Sequence, residues 1–237
     1  MPLLIWAQLL IISCYTATSG FTSAYAPSMK IWLLFSTLAL TATTSFAQTK
    51  VKVACVGNSI TEGSGIEPGK NYPEQLQTLL GDTCEVKNYG IGGRTLLKKG
   101  DYPYWKEAKY QEVLQWNPNV VVIKLGTNDS KPQNWQYKAE FKKDYIEFVK
   151  SFKKLPSHPT VYICKPMPAY RDNFGITSKV ISDEILPMIE EIAKKTHVKI
   201  IDLYTPMLGK DALTKDGIHP GAEGDAILAQ EVYKAIK

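Results

Sequence analysis

Cysteine and histidine are scarce in this chain, four of one and three of the other in 237 residues. No C-x-x-C pair occurs, and no Cys/His spacing of the kind a structural zinc or a redox centre needs. Long apolar runs are also missing. Neither apolar stretch near the N-terminus reaches the ~18 uninterrupted residues of a membrane-spanning helix, which argues against stable membrane insertion. No block of one charge sign exists either. The 28 Lys and Arg exceed the 23 Asp and Glu by five, but the lysines are scattered along helix-like segments, so nucleic acid is not an expected partner.

Three nucleotide and hydrolase signatures fail by a residue or two. The stretch 63–70 ends in Lys70 followed by Asn71, where a phosphate loop needs Ser or Thr. Gly90-Ile91-Gly92-Gly93 is not a dinucleotide fingerprint, because Thr95 stands at its last glycine position. Ser59 lacks the G-x-S-x-G elbow of the α/β-hydrolases, since Thr61 stands at the second glycine. No internal repeat or low-complexity segment is present.

Charge is nearly absent from residues 1–47, where Lys30 stands alone. Met29-Lys30, the apolar run 31–40 and the small-residue ending Ser45-Phe46-Ala47 have the three regions of a signal peptide. We expect Met29 as the start, cleavage after Ala47, and export to the periplasm or the medium. The alternative is an uncleaved tether. The apolar segment 3–13 has no basic flank, so 1–28 reads as an upstream extension. What remains, 48–237, suits one domain with a sizeable core. Its three cysteines, Cys55, Cys84 and Cys164, sit beside β-type residues and read as buried packing. An odd count leaves one thiol over, and whether any two pair is open.

Apolar β-branched runs at 51–56, 84–89, 120–125, 160–164 and 198–203 predict parallel strands buried on both faces. Helix-like segments at 72–80, 106–116, 138–155, 178–195 and 222–236 alternate with them, which predicts a doubly wound α/β sheet. In the last helix, Ala226, Ile227, Ala229, Val232, Tyr233 and Ile236 form the expected apolar stripe, with Asp225, Glu231 and Lys234 facing water.

In such a sheet the carboxyl ends of the strands share one edge, so residues just after each strand are neighbours. Those positions hold Gly57-Asn58-Ser59, then Gly90-Ile91-Gly92-Gly93-Arg94, then Gly126-Thr127-Asn128-Asp129, and before the final helix Asp216-Gly217-Ile218-His219. Each block alone is an ordinary turn. Together they supply what acyl transfer needs: a nucleophile in Ser59, a base in His219, an orienting carboxylate in Asp216, and oxyanion donors in the N–H groups of Ser59 and Gly93 and the amide of Asn128. His158 and His197 occupy turn and boundary positions without such a carboxylate. Polar and aromatic residues of these loops, Arg94, Tyr104, Trp105 and Asp129 among them, are the candidate substrate contacts.

The four blocks, in this order and over essentially the whole of 48–237, resemble the SGNH (GDSL-like) hydrolase family, with its G-D-S, glycine, G-x-N-D and D-x-x-H blocks. The resemblance implies a three-layer α/β/α sandwich around a five-stranded parallel sheet, the flavodoxin-like SGNH fold. It further implies Ser59, Asp216 and His219 as a triad, Gly93 and Asn128 in the oxyanion hole, and neither metal nor cofactor. Asn58 departs from the usual Asp, removing a charge beside the nucleophile. Within the family, the segments 98–105, 126–135 and 201–204 look most like bacterial carbohydrate O-acetylesterases, including those labelled sialate esterases. The expected substrate is therefore an acylated carbohydrate. A lipase or thioesterase of the same family, and a non-catalytic carbohydrate-binding module that has kept the fold, are the alternatives. The oligomeric state is not legible.

Overall fold

The computed structural model describes residues 49–237. The signal segment, with its start at Met29 and its cleavage after Ala47, lies outside the described residues. No helix among them is long and apolar enough to cross a membrane.

Five strands form, β1 (Val51–Gly57), β2 (Cys84–Gly90), β3 (Val120–Lys124), β4 (Thr160–Lys165) and β5 (Lys199–Asp202). All neighbours are parallel, in the order β2-β1-β3-β4-β5. Their apolar runs follow from burial on both faces. Ala54, Val56, Val121 and Ile123 point into one core, and Val53, Cys55 and Val122 into the other. The first core is covered by α3 (Ala108–Trp116), α5 (Lys138–Lys153) and α7 (Leu186–Thr196), the second by α2 (Tyr72–Leu80) and α8 (Ala222–Ile236). This is the expected three-layer sandwich with a five-stranded parallel sheet.

Helical periodicity explains how α5 packs. Phe141, Tyr145, Phe148 and Phe152 are all fully buried and recur at spacings that keep them on one face. Phe148 lies 4.9 Å from Trp105, 5.3 Å from Tyr110 and 5.0 Å from Phe152 between ring centroids. Truncating such a residue to Ala costs about 3–5 kcal/mol.

Two features differ from expectation. The helix predicted over 178–195 forms, running without a break through α6 (Ser178–Val180), a π-helical turn (Ile181–Ile185) and α7, so that its regular winding is widened in the middle. Pro187 has no N–H to offer the carbonyl one turn back, and the wider turn lies just before it. On α8 the buried face is Gly224, Asp225, Leu228, Ala229 and Val232, while Ala226 is exposed. Asp225, expected in water, is fully buried. The buried charge that acts on it, that of Lys124, comes from β3, far away in sequence, where no helical pattern reveals it.

The cysteine reading holds for two residues. Cys55 and Cys164 are fully buried, and Cys84 is half-buried at the start of β2; all three are free thiols. Burial pushes the Cys55 thiol up to about 12 and raises that of Cys164 as well.

Candidate active site

The strand order reverses between β1 and β3, which opens a crevice at the carboxyl edge of the sheet. β1 delivers Ser59 there. Asn58, in extended backbone, accepts the Ile60 N–H on Oδ1 at 3.1 Å and so caps the short helix α1 (Ser59–Glu62) that begins with the serine. The sharp strand-to-helix turn leaves Ser59 half-buried at the rim.

The loop 214–220 brings the other two residues. Asp216 Oδ1 accepts the Ile218 N–H at 2.9 Å and the His219 N–H at 2.8 Å, and Gly217 takes φ +82 to close this turn. The remaining oxygen, Oδ2, lies 2.7 Å from His219 Nδ1, and His219 Nε2 lies 2.9 Å from Ser59 Oγ. Burial pushes the Asp216 carboxyl up. Hydrogen bonds from the His219 N–H, the His219 ring and the Ile218 N–H outweigh it and leave the group below the ordinary carboxylate value. An ionised carboxylate can only accept, so Nδ1 carries the ring proton and Nε2 is free to accept from Ser59 Oγ–H.

The glycine block lies against the serine. A Cβ on Gly92 would stand 3.8 Å from Ser59 Cβ, and Gly93 adopts φ +78, a left-handed conformation open to glycine. Asn128, 3% exposed, donates one amide hydrogen to the Arg94 carbonyl at 3.1 Å, which ties the third block to the second and leaves the other hydrogen available. These are neutral donors of the type that stabilises a developing oxyanion.

The four candidate substrate contacts fare differently. Tyr104 is fully buried and its hydroxyl donates to the Tyr89 carbonyl, so it belongs to the core. Trp105 lies edge-on to Phe148 and donates to the Leu96 carbonyl at 2.7 Å; it too packs the core, with the Lys98 ammonium 4.3 Å above its ring. Asp129 is fully buried and accepts the Leu96 N–H at 3.0 Å and the Leu97 N–H at 2.8 Å. It braces the glycine block from below and does not face a substrate. Burial pushes it up to about 6 against the pull of those N–H groups. Only Arg94 stays near the rim, bonded to Glu107 at 2.9 Å and to the Gly92 carbonyl at 2.7 Å, with the exposed Tyr102 ring 5.6 Å from its guanidinium.

One residue escaped the sequence reading. Phe174 is 58% exposed, takes φ +54 and stands 5.6 Å edge-on from the His219 ring. Asn173 fixes it by accepting the Phe174 N–H at 2.9 Å and donating to the Asp216 carbonyl at 3.2 Å. An aromatic between two turn formers, Asn173-Phe174-Gly175, was the available signal. Among the described residues no group of three or more His, Cys, Asp or Glu could hold a metal ion.

A hydroxyl, an imidazole and a carboxylate in line beside neutral donors are the groups that acyl transfer requires. Residues 55–227 match the model of the GDSL-like lipase/acylhydrolase family. The chain belongs to that family. It is similar to an acetylxylan esterase of Xylanibacter ruminicola, 43% identical in an alignment 207 residues long that covers 79% of this chain and 43% of that one. The chain thus spans under half the length of this relative. Two crystal structures share the fold. One is of the acetyl xylan esterase AlAXEase, with a TM-score of 0.65 and 24% identity over 79% of this chain and all of the other. The other is of Est24, a carbohydrate acetylesterase from Sinorhizobium meliloti, with a TM-score of 0.66 and 20% identity over 79% and 98%.

Proposed function

We propose that this chain is an exported serine esterase that removes acetyl groups from the hydroxyls of a carbohydrate, with a xylan-type polysaccharide as the first substrate to test. The observation that carries this reading is the continuous relay from Asp216 Oδ2 through His219 to Ser59 Oγ, at 2.7 and 2.9 Å. In the first step Ser59 Oγ attacks the acetyl carbonyl while His219 Nε2 takes its proton. The oxyanion of the tetrahedral intermediate meets the N–H groups of Ser59 and Gly93 and the free amide hydrogen of Asn128. Collapse expels the sugar hydroxyl, protonated by His219, and leaves acetyl-Ser59. Water, deprotonated by the same ring, then releases acetate.

Substrate class rests on two supports. The relative over the catalytic region is an acetylxylan esterase, and the rim offers exposed rings, Phe174 and Tyr102, beside the polar Arg94, a combination suited to a sugar ring with its apolar face and hydroxyl edge. Export rests on the charge-poor segment 1–47. A broad apolar surface that would suit a long-chain lipid is not a feature of this rim.

The test is acetate release from acetylated xylan, acetylated pectin and O-acetylated sialic acids by wild type and by Ser59→Ala. We expect release from the acetylated xylan, and none by the variant. Release from none of the three, with an intact fold, would favour the non-catalytic carbohydrate-binding module.

A further inference from the structure

Beneath the nucleophile turn, on the α2/α8 side of the sheet, lies a polar cluster that the acyl-transfer chemistry does not use. Lys124 ends β3 and is fully buried; its Nζ donates to Asn58 Oδ1 at 3.4 Å. Asn58 is also fully buried, and the same Oδ1 caps α1 through the Ile60 N–H. Asp225, fully buried on α8, feels the Lys124 charge. Neither of its carboxylate oxygens has a hydrogen-bond partner among the described residues, nor has Asn58 Nδ2.

Packing alone does not call for these residues. A buried Lys–Asp pair is commonly no more stabilising than apolar side chains of the same volume, so its presence here is weak evidence of a stability role. Burial pushes Asp225 up to about 8 and Lys124 down to about 8, and each charge opposes the shift of the other. The thiol of Cys164 faces Lys124 from β4 and remains protonated, because burial raises it as well. Asn58 then has a physical reason. An Asp there would bring a second ionisable carboxyl group to the surroundings of one buried lysine. Asn offers an acceptor oxygen at the same place without that group.

We propose that buried Lys124, with Asp225 as the nearby buried carboxyl group that offsets it, positions the nucleophile: the ammonium holds Asn58 Oδ1, Asn58 caps the first turn of α1, and that turn holds Ser59 Oγ at His219. Lys124 and Asp225 are positioning residues and touch no reacting atom. The proposal rests on Ser59 as nucleophile. Misplacement of a reacting group by about 1 Å costs up to roughly a hundredfold in rate without loss of binding, so the signature is a fall in kcat with KM retained.

Two variants avoid a lone buried charge: Asn58→Ala, which keeps the pair, and Lys124→Met/Asp225→Leu, which removes both charges together. Each is assayed on a small acetyl ester and by the rate at which a fluorophosphonate labels Ser59, with circular dichroism to verify folding. We expect each to lose roughly tenfold to a hundredfold in kcat and in labelling rate, with KM within about twofold. The triple combination should be little worse than either, because all three residues act through one turn. A Lys124→Met/Asp225→Leu protein with wild-type kcat and labelling rate overturns the proposal. So do losses that multiply in the triple variant. If Ser59→Ala itself keeps full activity, the nucleophile assignment has failed instead, and the two failures are told apart.

Discussion

On the glycine-block side of Ser59, buried polar side chains hold the backbone in place. Asp129 takes the Leu96 and Leu97 N–H groups, Asp144 takes that of Lys98 at 2.9 Å, and Asn134 takes that of Asp101 at 2.9 Å. On the His219 side, the loop 171–175 is mostly exposed and ends in an aromatic ring in the left-handed region, tied down by Asn173, by the Tyr170 N–H to Gly217 carbonyl bond at 2.8 Å, and by the Thr177 N–H to Ser130 Oγ bond at 3.0 Å. The contrast separates two tasks. Donors for a transient charge must be fixed before it forms, since reorganising them during reaction removes their advantage. A surface that receives a polymer has to stay open. Changes on the braced side should therefore act on kcat and on stability, and changes on the open side on KM for the polymer.

The largest expected effect lies between the two sides, at the relay. Asp216→Asn should lower kcat on the order of 10³–10⁴-fold with folding intact, because an amide opposite Nδ1 selects the wrong tautomer. In wild type, Asp216 stays ionised below the ordinary carboxylate range. The acid limb of the pH–rate profile should accordingly have the slope of one proton, with none contributed by Asp216. A limb with a slope of two would mean that Asp216 titrates in the working range.

Smaller is the effect of Asp129→Asn. The amide can accept one of the two N–H groups of Leu96 and Leu97 but presents a donor to the other. A buried donor left unpaired costs about 1–3 kcal/mol. Urea unfolding should fall by that amount and kcat should drop with KM nearly unchanged. A rise in KM alone would return Asp129 to substrate binding and erase the difference between the sides.

The smallest effect is expected at Phe174→Ala. Losing one ring contact, worth about 0.5–1.5 kcal/mol, raises KM for acetylated xylo-oligosaccharides roughly twofold to tenfold. Vinyl acetate, which has no ring to stack, should be turned over as by wild type, and stability should move by no more than about 0.5 kcal/mol. Equal losses on both esters would make Phe174 a support for His219 and not a sugar platform.

The strands and the four site blocks were legible for one reason. Parallel strands buried on both faces read as apolar runs, and their carboxyl ends converge wherever the chain winds this way. Depth was not legible. Tyr104, Trp105 and Asp129 sit next to rim residues in sequence, yet one residue along a loop turns a side chain from the crevice into the core. Asp225 was misread because helical periodicity scores a carboxylate as water-facing, whereas the packing of α8 against the sheet buries it, with the charge of Lys124 on β3 opposing the effect of that burial. Phe174 went unseen in an irregular stretch, since exposure of an aromatic depends on the loop fold and not on local pattern.

The central claim is that Ser59, activated by His219, is the attacking atom. Fluorophosphonate treatment followed by peptide mass spectrometry tests it directly. One adduct per chain, located on Ser59 and accumulating in step with the loss of acetate release, is the predicted result. An adduct on another serine, such as Ser64 or Ser130, or full acetate release after Ser59 has been modified, would contradict it.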